Sequence, residues 1–125
     1  MKKWSLLVAL LATPVFLSPI LDVAYAGQPM GPLGDLTSLE TIASDTLVLV
    51  DKGDLKAAGK RMTDFETAWD KAEPTMRPKN IDEWGVIDDA ADAAITSLRT
   101  GKPKATDVTA TVSALIDTLK NPVAD

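Results

Sequence analysis

The chain has 125 residues, with 13 Lys and Arg against 18 Asp and Glu, and it contains neither Cys nor His. Without Cys there is no disulfide, thiolate metal site, covalent haem or lipidated N-terminal Cys; without His the commonest general base and metal ligand is missing, and no Ser-His-Asp machinery exists within the chain. A net charge of -5 and a pI near 4.6 argue against a nucleic-acid partner, and the length is that of one domain.

Residues 1–26 read as a cleaved signal peptide. Lys2 and Lys3 form a positive start, and Trp4 to Leu21 is almost wholly apolar or small. Ala24-Tyr25-Ala26 gives the small-x-small pattern that signal peptidase reads, with Gly27 following. Pro14, Pro19 and Asp22 interrupt the apolar run, which leaves it shorter than the ~20 residues a membrane span requires. Removal of 1–26, with Lys2, Lys3 and Asp22, leaves residues 27–125 at a net charge of -6. No second apolar span follows. The mature chain is therefore expected in a bacterial periplasm or exterior, with no membrane span.

Residues 27–36 are rich in Gly and Pro, lack periodicity and read as a flexible tether. A helical domain is predicted over 37–121. Its first helix runs from Thr37 to Asp51, opened by a capping box, Thr37-Ser38-Leu39-Glu40. Leu36, Leu39, Ile42/Ala43, Thr46/Leu47 and Val50 make one face, and Lys52-Gly53 is the stop.

The second helix starts at Asp54 as N-cap and is expected to end at Glu73, before Pro74. Leu55, Ala58, Met62, Phe65, Trp69 and Ala72 alternate steps of three and four, which is one buried stripe. Gly59 beside that stripe costs helix propensity and predicts a closely approaching neighbour. Residues 75–79 form a loop. Asn80 caps the third helix, with Glu83 at the box position and Ile81, Trp84, Ile87, Ala91, Ala94/Ile95 and Leu98 inward; Gly101 ends it. The fourth helix spans Lys104 to Lys120 with Val108, Val112, Leu115 and Leu119 inward, and Asn121-Pro122 stops it. Short linkers favour antiparallel neighbours, so the expected fold is all-α, an up-down-up-down four-helix bundle.

The candidate chemistry is acidic. Glu66 and Asp70 lie one turn apart on helix two, as do Asp88 and Asp92 on helix three. Antiparallel packing would bring Glu66 level with Asp88 at the seam. Carboxylates without His or Cys suit a hard cation such as Ca2+, Mg2+, Mn2+ or Fe3+. The bland alternative is a set of solvated acids, with Asp88 paired to Arg61 or Lys60. Di-iron bundle enzymes need a Glu-x-x-His motif that cannot exist here. Phe65, Trp69 and Trp84 gather at the junction of helices two and three, either as end packing or as a pocket or partner patch. Arg77 and Lys79 fall on the second linker, Lys102 and Lys104 on the third, so the loop cations divide between opposite ends. A domain this small offers little cleft for paired-carboxylate catalysis, and no enzyme is expected.

Phe65-Glu66-Thr67-Ala68-Trp69-Asp70-Lys71-Ala72-Glu73-Pro74, followed by Arg77-Pro78, Trp84, Ile87-Asp88, Ala91-Asp92, Ala94 and Leu98-Arg99, resembles a group of small secreted bacterial helical proteins. That resemblance implies export and a helical fold, and no particular activity. Phe65-Glu66 and Glu73-Pro74 are also similar in outline to the extracytoplasmic helical segment of high-affinity iron permeases. That similarity implies a role near cation uptake, although transport itself is not implied because no permease span is present. Two functions follow as expectations. One is a secreted helical module that binds another envelope protein. The other is a periplasmic accessory protein that holds a hard cation at Glu66, Asp70, Asp88 and Asp92.

Overall fold

The computed structural model describes residues 31–123. The expected signal peptide, 1–26, and the first part of the tether, 27–30, lie outside the described residues. The described chain is all-helical: α1 (Thr37–Asp51), α2 (Leu55–Met76), a 3-10 turn (Arg77–Lys79), α3 (Ile81–Arg99) and α4 (Ala105–Lys120). No helix among these residues is long and apolar enough to cross a membrane. Neighbours in sequence pack on one another, and α4 returns against α1. Of the four neighbouring pairs, α2 and α3 make the least extensive contact.

The core follows the expected stripes. Leu39, Ala43 and Val50 of α1 are buried, as are Ala58, Met62, Phe65 and Trp69 of α2. Trp84, Ile87, Ala91, Ala94 and Leu98 of α3 join Val108, Val112, Leu115, Ile116 and Leu119 of α4. Thr46 is buried too, and its hydroxyl donates to the Ile42 carbonyl at 2.9 Å, which satisfies it within its own helix. Ile81, expected inward, is instead 64% exposed at the first position of α3.

The helix ends show local chemistry deciding boundaries. The α1 capping box does not form. Leu36 takes the N-cap position without a side-chain bond, and the Asp35 carboxylate accepts from the Thr37 N–H at 2.9 Å instead. Hydrogen bonds from the Thr37 hydroxyl and N–H hold the Asp35 carboxyl below its ordinary range. The stop after α1 is a Schellman motif. The Asp54 N–H reaches the Leu49 carbonyl and the Gly53 N–H reaches Val50, both at 2.9 Å, with Gly53 at φ +79°. Asp54 then caps α2 by accepting from the Ala57 N–H at 3.0 Å.

Helix α2 does not end at Glu73. It runs through Pro74 to Met76, and the Arg77 N–H still bonds the Glu73 carbonyl. A proline removes one bond of the ladder and tolerates continuation where its neighbours complete theirs, here in the last turn. At α3 half of the expected box forms. The Asn80 side chain accepts from the Glu83 N–H at 3.1 Å, while Glu83 Oε2 is buried with no hydrogen-bond partner.

The expected tether is ordered in its described part. Gly31 to Gly34 close a turn through a 2.9 Å bond, with Gly34 at φ +90°, and this drives Leu33 into the core at 1% exposed. Leu36 is buried as well. Apolar burial of this order stabilises the fold by about 1.5–3 kcal/mol per side chain, enough to hold a short segment.

Candidate functional site

Three sets of residues bear on function: the junction aromatics, the acids, and a groove between α2 and α3. The aromatics form one stack between α2 and α3. The rings of Trp69 and Trp84 lie face to face, centroids 3.4 Å apart and 5° from parallel. Phe65 adds a third ring 6.2 Å from Trp69. All three are buried, with Trp69 at 3% and Trp84 at 5% exposed. Their stacked rings pack the α2–α3 junction.

The acids are dispersed among separate partners. Asp88 Oδ1 accepts from the indole N–H of Trp69 at 2.9 Å, an ionic acceptor on the positive edge of the ring. It pairs with neither Arg61 nor Lys60. Arg61 instead binds Asp45 of α1 at 2.9 Å and Asp64 at 3.1 Å, and these two carboxylates raise its pKa. Glu66 turns to Arg99 of α3, at 3.1 Å. Asp70 is exposed. Asp92 has its carboxyl pushed above the ordinary range, by partial desolvation and then by the negative charges of Asp88, Asp89 and Glu66. Among the described residues no three acids come close enough to hold a metal ion. The expected cation cluster of Glu66, Asp70, Asp88 and Asp92 is therefore not assembled. The helical register did bring Glu66 and Asp88 toward one seam. An arginine and an indole N–H, rather than each other, then claimed their oxygens.

The groove lies between α2 and α3, away from the tryptophan stack. It is an open depression whose lining is apolar at Leu55, Leu98 and Pro103 and bare at Gly59. Lys56, Lys60 and Thr63 of α2 and Arg99 of α3 complete the lining. Because the first turns of α2 thus face the last turn of α3, the two helices run antiparallel. Trp69 and Trp84 stack at one end of the seam, and the depression lies toward the other. Lys56 and Lys60 are exposed and make no ion pair among the described residues, while Arg99 is held by Glu66. The N-terminal end of α2 contributes a partial positive charge of its own. Gly59 does not meet a close neighbour as the sequence predicted: a Cβ added there finds nothing within 4 Å. The glycine leaves that part of the lining bare.

The sequence held one signal of this groove, the glycine inside an otherwise well-formed helix. Lys56 and Lys60, four residues apart, could then have been joined with Arg99 across the seam. No protein-family model, no curated protein and no solved structure matches the chain.

Proposed function

We propose that the chain is an exported, non-catalytic interaction module, an up-down-up-down four-helix bundle that docks another envelope protein through the α2–α3 groove. The observation that carries this reading is an open depression between α2 and α3, lined by Leu55, Gly59, Leu98 and Pro103 together with Lys56, Lys60, Thr63 and Arg99. Groove chemistry supports binding over catalysis. Its lining pairs no acid with a base: Lys56, Lys60 and Arg99 are cations, and the Thr63 hydroxyl is spent on the Gly59 carbonyl at 3.1 Å. Export rests on the n-region, apolar run and Ala24-Tyr25-Ala26 of the sequence, and the resemblance to small secreted helical proteins agrees with it.

Site-specific photocrosslinking in producing cells tests this reading. A crosslinker at Thr63, in the groove, is expected to give one discrete adduct. The same group at exposed Ser44 on α1 is expected to give none. Adducts from Ser44 alone, or from neither position, would refute docking through the groove.

A further inference from the structure

Resting on that reading, we infer that the groove takes an acidic polypeptide segment bearing an apolar side chain. The apolar group sits at Gly59, near Leu55 and Leu98, and carboxylates flank it at Lys56 and Lys60. Three features point to this occupant.

Charge comes first. The protein is acidic overall, yet this groove is lined by Lys56, Lys60 and Arg99 with no carboxylate, and only Arg99 is already paired, to Glu66. Neither lysine has a partner among the described residues, so an incoming carboxylate need not displace an internal one. The second feature is a mixed lining. Leu55, Leu98 and Pro103 stand among the cations, with Leu98 at 8% exposed. Such a surface suits a chain that carries both chemistries. Gly59 is the third. Glycine inside a helix is destabilising by roughly 0.5–1 kcal/mol relative to Ala, and no neighbour among the described residues requires its lack of a side chain. A side chain at 59 would project into open space at the groove. Loss of stability for an open site is a recurrent trade in binding proteins.

The test uses the purified protein and a synthetic peptide of Glu residues around a central Leu, with a Gln counterpart as control. Amide shifts in a titration should map to Lys56, Gly59, Lys60, Thr63 and Arg99, and the Gln peptide should bind much more weakly. Binding should weaken as salt rises past the ~0.1 M at which the Debye length falls to about 10 Å. Reversal of both lysines, Lys56→Glu with Lys60→Glu, should weaken binding about tenfold, the scale of two surface ion pairs lost. These lysines are exposed, and the circular dichroism of the variant should match the parent. Gly59→Leu should abolish peptide binding while raising the melting temperature, a pairing that simple loss of structure cannot produce.

Equal binding of the Glu and Gln peptides, or shifts confined to other helices, would overturn the inference. So would co-sedimentation with anionic phosphatidylglycerol vesicles without any response to the peptide. A crosslinked adduct at Thr63 without peptide binding would leave the docking reading standing and sink the acidic occupant. Absence of the adduct would sink the docking reading itself.

Discussion

The hydrogen bond from Trp69 to Asp88 offers the sharpest measurable consequence of the packing. Asp88→Ala leaves the indole N–H, at the 3%-exposed Trp69, without its 2.9 Å acceptor. A hydrogen bond to a charged group contributes about 1.5–3 kcal/mol. Two smaller effects oppose the loss. Alanine is favoured over Asp inside a helix by about 0.7 kcal/mol. Removing a like charge one turn from Asp92 returns roughly 0.2–0.5 kcal/mol more. The net expectation is a destabilisation of about 1 kcal/mol, or 4–8 °C for a domain of 60–100 residues. A purely solvated Asp88 would instead give a neutral or slightly stabilised variant, because only the two opposing terms would remain.

The sign of the change therefore decides between the two. A double-mutant cycle with Trp69→Phe, read by urea unfolding at 222 nm, isolates the pair from the propensity term. Expected coupling is about 1–2 kcal/mol, since Phe keeps most of the stacked area and lacks the donor. Coupling below about 0.3 kcal/mol, within the additivity error of such cycles, would refute the bond. Asp88→Asn should lose less than Asp88→Ala, because the amide oxygen still accepts.

Leu33→Ala should destabilise by about 2–5 kcal/mol, as for other fully buried leucines, although it precedes the first helix; a change within ~0.5 kcal/mol would place the turn outside the folded unit. Asp92→Asn should stabilise near neutral pH. The Asp92 carboxyl titrates higher when folded, so the ionised form opposes folding, and the parent recovers stability as pH falls through that raised value. The variant's advantage, about 0.2–0.5 kcal/mol from the Asp88 neighbour alone, should shrink on acidification in matched melts, and an advantage that grows would contradict the charge assignment. Mass spectrometry of the exported protein should find a chain beginning at Gly27, and an uncleaved mass would remove the basis for export.

All four helices were legible because their apolar residues recur at helical spacing, and in α4 that spacing continues past Val108 to Val112, where a strand reading competes. Both Asp54 and Asn80 were legible as caps for a different reason: each stands directly before such a stripe with an orphan N–H three residues on. What the sequence misplaced was settled by contacts outside the local window. Thr37-Ser38-Leu39-Glu40 has the composition of a capping box, but burial of Leu33 and Leu36 fixes the chain one step earlier and hands the cap bond to Asp35. Pro74 is a stop only when the chain has somewhere better to go. Here the Arg77 N–H still finds the Glu73 carbonyl, and the turn completes. Gly31 to Gly34 look like linker by composition, yet the φ > 0 that only glycine takes without strain is what lets Leu33 point inward.

The acids and the groove show why site residues were harder to read than helices. Periodicity says which residues share a side, and it did bring Glu66 and Asp88 to the same seam. It says nothing about which partner a carboxylate takes there. Asp88 found a buried donor on the same level, and Glu66 found a guanidinium long enough to reach it from the end of α3. Once each oxygen is engaged in this way, gathering four carboxylates around a cation would require breaking both bonds. The groove arises from a property that no single position carries. Trp69 and Trp84 stack between α2 and α3, and of the neighbouring pairs these two helices make the least extensive contact. The depression toward the other end is lined by Leu55, Gly59, Leu98 and Pro103, and a Cβ at Gly59 would meet nothing within 4 Å. A mid-helix glycine predicted to admit a neighbouring helix turns out to face open space, and that reversal moves the candidate site from the acidic end of the α2–α3 seam to its basic end.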